Sequence, residues 1–231
     1  AFLEGERQPL DTVLLTGATG YLGIHVLYRL LTETDVTVYC PVRSKDNTPP
    51  EERLRILLFY YFEQTFDDCF GKRLFVMEGE VTQRDWMEQL EVPAKVVINC
   101  LANVKHFSTG NDIEEVNVNS VEYLVKWCLA SDSRLVHVST VSVAGHSMNG
   151  FPDPKRRMIE RELDYGQSLD NQYARSKFNA ERLILDAVRD NGLSAKIMRV
   201  GNLSARNSDG EFQMNFMSNN FMATLRAYKT L

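Results

Sequence analysis

Residues 12–23 read Thr12-Val13-Leu14-Leu15-Thr16-Gly17-Ala18-Thr19-Gly20-Tyr21-Leu22-Gly23, and this stretch decides the fold. Thr12–Thr16 is a short apolar run of the kind that forms a buried strand. An amphipathic helix is expected over Tyr21–Leu31. Between them Gly17, Gly20 and Gly23 are spaced G-x-x-G-x-x-G. Glycine permits a tight turn and lets backbone approach a pyrophosphate, which settles on the free N–H groups of a helix N-terminus. A glycine triplet alone is weak evidence. Between the first strand and first helix of a βαβ unit it points strongly to a dinucleotide.

Working outward, further strands are expected at Val36–Val42, Arg73–Met77, Lys95–Cys100, Arg134–Ser139 and Ala195–Val200. Helices are expected at Arg53–Gln64, Asp112–Ala130 and Asn171–Asp190, the last with Gly192 just past its end as a C-cap. Continuous β-branched runs joined by helices predict an α/β fold: a doubly wound parallel sheet covered on both faces. The polar turn Arg206–Gly210 is the expected boundary. Residues 1–205 then form a nucleotide-binding domain, and 206–231 begin a C-terminal part. The aromatic stripe Phe59–Phe62 is expected in the core.

The 231 residues are 44% hydrophobic and 25% charged, the usage of a globular protein. With 26 Lys+Arg against 31 Asp+Glu the net charge is −5, which lacks the basic footprint of a nucleic-acid binder. No apolar run approaches the ~18 residues that would suggest a membrane span. Ala1–Leu10 carries charges and no apolar leader core, so a cytoplasmic protein is expected. Cys40, Cys69, Cys100 and Cys128 form no C-x-x-C pair, so buried reduced thiols and no metal site are expected.

An NAD enzyme usually places an acid at the end of the second strand, to hold the ribose 2′-hydroxyl. Here that position is Arg43, 20 residues after Gly23, with Lys45 two further on. A guanidinium fork suits a phosphate, which predicts NADPH. Arg53, opening the next helix, either reaches the same phosphate or lies on the surface.

Tyr173 and Lys177 are four apart in an expected helix, so both project from one face. An ammonium beside a phenol favours the phenolate and lowers its pKa. Such a tyrosine can exchange a proton with a carbinol oxygen. Val138–Val143 ends a strand, and ligands of open α/β sheets lie at strand carboxyl ends. Thr140 is the chosen hydroxyl for the same oxygen, with Ser139 and Ser142 as rivals. His106 has no catalytic spacing and is read as structural.

Together TGATGYLG, the strand-end Val42-Arg43-Ser44, VSTVSVAG (Val138–Gly145), YARSK (Tyr173–Lys177) and RVGNL (Arg199–Leu203) resemble the extended short-chain dehydrogenase/reductase superfamily. Within it, VSTVSV and RVGNL resemble the thioester reductase domains of non-ribosomal peptide synthetases, with carboxylic acid reductases and aminoadipate reductase related. The likeness covers about Val13 to Leu203. It implies a Rossmann domain that uses NADPH to release an acyl or peptidyl thioester, held on the phosphopantetheine arm of a carrier protein domain, as an aldehyde. It implies that Tyr173 donates the proton, Lys177 holds the nicotinamide ribose and lowers the tyrosine pKa, and Thr140 binds the substrate oxygen. Gly17, Thr19, Gly20, Tyr21, Leu22 and Gly23 would line the pyrophosphate, and Arg43 would meet the 2′-phosphate.

Gly79-Glu80-Val81 resembles the segment beside adenine, with Glu80 in place of the usual Asp. Leu101, Ala102 and Asn103 would flank the cofactor, and Val200, Gly201 and Asn202 would lie near the nicotinamide. Asn117 matches a segment that is usually structural. Members of the superfamily continue past RVGNL into a smaller helical substrate-binding part, so that part is expected to be largely absent up to Leu231. Two other readings stand beside this one. One is an extended reductase or epimerase acting on a nucleotide-sugar or other small-molecule carbonyl. The other is an NADPH-sensing binding protein.

Overall fold

The structure, a computed structural model, describes residues 10–105, 108–146 and 158–230. Six parallel strands form one sheet in the order β3-β2-β1-β4-β5-β6. They are β1 (Thr12–Thr16), β2 (Thr37–Val42), β3 (Leu74–Glu78), β4 (Val96–Asn99), β5 (Arg134–Thr140) and β6 (Ala195–Val200). The strand order reverses between β1 and β4, and that switch point is where an open α/β sheet binds its ligand. The expected doubly wound parallel sheet is the observed one.

Apolar residues alternate sides along each strand, so the sheet faces two cores. One packs α1 (Tyr21–Glu33) and α2 (Pro50–Phe62) against β1–β3, around Leu15, Leu27, Val38 and Leu58. The other buries Leu14, Val97, Leu124, Leu135 and Ile184. It packs α3 (Arg84–Glu88), α5 (Ser120–Ser131) and α6 (Gln172–Asn191) on the opposite face. Helix α2 starts three residues earlier than expected because Pro50 occupies its first turn, where a missing N–H costs nothing. The expected helix from Asp112 is not continuous. It runs as α4 (Asp112–Glu114), a π-helical segment (Glu115–Asn119) and α5.

The aromatic stripe divides. Tyr61 is buried and Phe62 packs on the core, while Phe59 and Tyr60 are exposed. Four consecutive residues point around most of a helical turn, so all four cannot face inward. After β6 the chain turns at Arg206, whose guanidinium donates to the Tyr61 carbonyl, and continues to α7 (Asn220–Thr230). The four cysteines are free thiols.

Candidate active site

Helix α6 is well specified. Asn171 caps it by accepting from the Ala174 N–H at 2.7 Å, and Gly192 ends it in the left-handed conformation. Its first turn lies beside the carboxyl end of β5, where Tyr173 is hydrogen-bonded to Thr140. Of the three candidate hydroxyls this singles out Thr140 by position. Ser139 is buried and donates to Glu181 Oε1 at 2.5 Å. Ser142 is exposed, and its N–H donates to Thr140 Oγ1 at 3.1 Å. Val200 pairs with Thr140 across β5 and β6, so exposed Gly201 and Asn202 leave the sheet beside it.

Burial raises the Tyr173 pKa above its ordinary value, and the Thr140 hydrogen bond pulls it partly back. This corrects the expectation that a lysine ammonium dominates the phenol. Lys177 is 1% exposed. Its Nζ donates to the Val138 carbonyl at 2.8 Å and lies 3.1 Å from His137 Nε2. Burial brings its pKa down to about 8, opposed by Glu181.

Beneath Lys177 a polar row crosses the sheet. Thr16, Asn99 and His137 stand in register on β1, β4 and β5, so their side chains share one face. Thr16 Oγ1 donates to Asn99 Oδ1 at 2.6 Å, and Asn99 Nδ2 meets His137 Nδ1 at 3.0 Å. One turn along α6, the fully buried Glu181 accepts from Arg199 Nη2 at 2.7 Å and Nε at 3.0 Å. A carboxylate with no water contact needs such a fork. In the π-helical segment, Asn117 Nδ2 donates to the Asn103 carbonyl and to Ser176 Oγ, each at 2.9 Å. Its Oδ1 accepts from the Asn103 N–H at 2.8 Å, which ties the chain after β4 to α6.

The glycine loop sits over the switch point, and its three glycines differ. A Cβ on Gly17 would lie 2.6 Å from the Leu101 nitrogen, and φ there is +73°. A Cβ on Gly23 would lie 2.1 Å from the Gly17 carbonyl oxygen. These two glycines permit close backbone packing. Gly20 is exposed, donates to the Gly17 carbonyl at 2.9 Å, and caps α1 with no side chain over the helix N-terminus. Thr19 and Leu22 are half-buried beside it. The Tyr21 ring turns away, its hydroxyl 3.2 Å from the Ser204 carbonyl and its ring edge-on to Phe212. Only the backbone of Tyr21 therefore remains toward the loop.

At the end of β2, Arg43 is 68% exposed and donates to Glu80 Oε1 at 3.0 Å. Arg53 donates to the Arg43 carbonyl, and burial together with the Arg43 charge lowers its pKa. Lys45 is exposed at a turn where Asp46 and Asn47 take positive φ. Val81 is buried in the second core, below Glu80. Leu101, Ala102 and Asn103 are half-buried at the end of β4.

The model of the NAD-binding family described as Male sterility protein matches residues 15–231. The chain belongs to this family. It is 40% identical to a thiolation-reductase di-domain from an archaeal non-ribosomal peptide synthetase, with a TM-score of 0.91 over 98% of this chain and 48% of that one. It is 28% identical to the reductase domain of the aureusimine biosynthetic cluster, with a TM-score of 0.78 over 97% of this chain and 57% of that one. It is 28% identical to the isonitrile lipopeptide synthase of Streptomyces coeruleorubidus, over 87% of this chain and 14% of that protein. The chain thus spans about half of those solved structures and a small fraction of the synthase.

Sequence reasoning missed Asn99, His137, Glu181 and Arg199, and read Asn117 as structural only. The signals were there: an asparagine ending an apolar strand, a histidine inside one, and opposite charges on an inward helix face and the last strand. His106 lies outside the described residues. Among the described residues no helix is long and apolar enough to cross a membrane.

Proposed function

We propose that the chain is the cofactor-binding and proton-donating part of a thioester reductase. It acts on an acyl or peptidyl thioester carried on the phosphopantetheine arm of a carrier protein domain, and releases an aldehyde. The observation that carries this reading is the Thr140–Tyr173 hydrogen bond at the carboxyl end of β5, above the buried Lys177. The likeness to a thiolation-reductase di-domain supports the carrier-bound substrate. Residues 1–205 then form the NADPH-binding domain, 206–231 begin the substrate-binding part, and the protein works in the cytoplasm.

The residues fit NADPH. Exposed Gly20 leaves the uncapped start of α1 open, and Arg43 and Arg53 set two cations together at the end of β2. There Gly17, Thr19, Gly20, Leu22, Gly23 and the Tyr21 backbone would line the pyrophosphate, and Arg43 with Lys45 and Arg53 would meet the 2′-phosphate. Glu80 would border the adenine, with Val81 packed beneath it in the core. Leu101, Ala102 and Asn103 would flank the cofactor, and Val200, Gly201 and Asn202 would lie near the nicotinamide.

When bound, NADPH supplies a hydride. Thr140 and Tyr173 hold the thioester oxygen between their hydroxyls and stabilise the charge that develops on it. The raised Tyr173 pKa keeps the phenol protonated, which is the state that reduction consumes. Tyr173 gives its proton to that oxygen as the carbonyl carbon is reduced. The carbon–sulfur bond then breaks as the new hydroxyl loses its proton and the departing sulfur takes one up, so the thiol stays on the carrier arm and the aldehyde leaves.

The test is NADPH oxidation with a panel of acyl-pantetheine thioesters, with products trapped as oximes. One oxime per NADPH is expected, and a second hydride per substrate would show reduction on to the alcohol. Turnover of a nucleotide sugar in place of every thioester would overturn the reading. Tight NADPH binding with no turnover on any carbonyl would replace it with a sensor.

A further inference from the structure

Tyr21 belongs to two places at once. Its backbone opens α1 beside the glycine loop, while its side chain leaves the loop and meets a segment 183 residues further on. The hydroxyl lies 3.2 Å from the Ser204 carbonyl and 3.3 Å from the Glu211 carbonyl. A phenol has one hydrogen, so these two carbonyls share it.

The sheet order fixes where the chain before Ser204 must run. Val200 pairs with Thr140 at the carboxyl end of β6, and β5 and β4 stand between β6 and β1. Three strand spacings come to about 14 Å. Four extended residues reach at most about 14 Å, and the length of the tyrosine side chain makes up the rest. Residues 201–204 are therefore a short strap across the carboxyl ends of β5 and β4, from the edge strand to the top of α1. All four are exposed and lie outside any helix or strand.

Beyond the strap the chain is anchored on the aromatic stripe of α2. Arg206 Nη1 donates to the Tyr61 carbonyl at 2.7 Å, and the Met214 N–H donates to the Tyr61 hydroxyl at 3.1 Å. Tyr60 donates to Glu211 Oε1 at 3.0 Å. The outer half of the stripe thus has a use that burial did not give it. Residues 201–205 lie between the Val200 pairing and the Arg206 anchor. The strap can bow outward without disturbing either one, once the Tyr21 hydroxyl lets go of Ser204.

On the NADPH reading above, on which this inference rests, the two ends of the strap mark the two ends of half a cofactor. Gly201 and Asn202 stand near the nicotinamide, and the Tyr21 backbone stands at the pyrophosphate. We propose that residues 201–204 are a gate over the nicotinamide half of the crevice and that the Tyr21 hydroxyl is its latch, so that the dinucleotide enters and leaves only when Ser204 is released. Tyr21 is then a positioning residue that acts through the strap. The adenine half, with Arg43 at the end of β2, lies on the far side of β1 and outside the strap.

A latch of this kind has a kinetic signature. The bond joins protein to protein and includes no atom of the cofactor. Losing it weakens the closed strap equally with and without NADPH. A larger open fraction then speeds entry and exit by one factor, and the affinity stays where it was. A residue that merely shaped the pyrophosphate loop would change the affinity instead.

The test is stopped-flow fluorescence of NADPH association, and of its displacement, in the unmutated protein and in Tyr21→Phe. The variant keeps the ring against His25, Tyr61 and Phe212 and loses only the hydroxyl. Both rates should rise together by about three- to tenfold, the usual worth of one hydrogen bond. The Kd should stay within about twofold, and NADH should show the same factor, because the 2′-phosphate lies outside the strap. Rates that both change by less than about threefold would overturn the gate. So would faster release with unchanged association, which describes a clamp closed by the cofactor. No thioester enters the measurement. An unmutated protein that bound neither nucleotide would overturn the cofactor reading and the gate together, whereas unequal or unchanged rates overturn the gate alone.

Discussion

Two polar regions of this molecule obey opposite rules. At the end of β2, Arg43 lies mostly in solvent with Glu80 as its partner. Beneath α6, Thr16, Asn99, His137 and Lys177 are buried and bonded to one another. An exposed ion pair is weak, because water competes for both ends. A buried network is costly to interrupt, because nothing replaces a lost partner. The first region is therefore free to exchange Glu80 for a phosphate. The second has no such freedom.

The sharpest test of that contrast is at its upper end, where the buried row meets chemistry. Tyr173→Phe removes the proton donor and leaves the β2 end untouched. Turnover should fall by roughly 10²–10⁴, the usual worth of a positioned general acid. NADPH affinity, measured by fluorescence titration, should stay within a few-fold of the parent. A turnover loss of less than a few-fold would move the acid to Thr140.

Next comes the pair that anchors the same helix to β6. Glu181 is fully buried and held by Arg199 and Ser139. Glu181→Ala leaves a guanidinium with little solvent and only the Glu162 carbonyl to donate to, and breaking a buried pair in this way costs about 3–5 kcal/mol. Urea unfolding should show a midpoint shift of that size with an unchanged slope. A loss under ~1 kcal/mol would mean that water reaches Arg199 and that this region follows the exposed rule after all.

What the sequence made legible divides along the same line. The glycine loop, Arg43 and the Tyr173/Lys177 spacing are local patterns, and each reads within one element. The doubly wound parallel sheet followed from the alternation of strands and helices, whereas its strand order is a finding of the structure. Asn99, His137 and Glu181 are different, because each acts through a partner 18 to 42 residues away that becomes a neighbour only once the sheet forms. No spacing rule joins Thr16 to Asn99. The register of three parallel strands does. The three serine and threonine candidates of the β5 end were equivalent in sequence for a related reason: strand alternation and the turn after Thr140 decide which one faces Tyr173. Helix α2 opens at Pro50, three residues before the expected Arg53, because the first turn is where proline fits.

The buried row should also show in the pH dependence of folding. The folded-state pKa of His137 lies well below its ordinary 6.5, whereas an unfolded histidine takes a proton near that value. Below pH 6.5 the unfolded state therefore binds one more proton, so stability falls as pH falls, with a slope approaching about 1.4 kcal/mol per pH unit. His137→Gln lacks this group, so the gap in unfolding free energy between the protein and the variant should narrow from pH 6.5 to pH 5. A constant gap would mean that His137 is charged when folded, and the row would have to be rebuilt around an imidazolium.

The smallest effects belong to the exposed end, and there binding and stability should part company. Arg43→Ala should lower NADPH affinity about tenfold, or 1.4 kcal/mol, and leave NADH affinity nearly unchanged. Glu80→Gln keeps the shape and removes the anion that Arg43 donates to across 3.0 Å. Because Arg43 is largely solvated, the loss of that pair should change folding stability by less than about 0.5 kcal/mol. A 2′-phosphate that must otherwise displace Glu80 would find the guanidinium unpaired, so NADPH affinity should hold or rise a few-fold. Titrating both nucleotides into Glu80→Gln decides between two roles for that carboxylate. If Glu80 only parks Arg43, NADH binding stays as it was and NADPH binding does not weaken. If Glu80 itself holds the adenine side of the cofactor, both nucleotides weaken together, and the exposed end tolerates a lost partner no better than the buried one does.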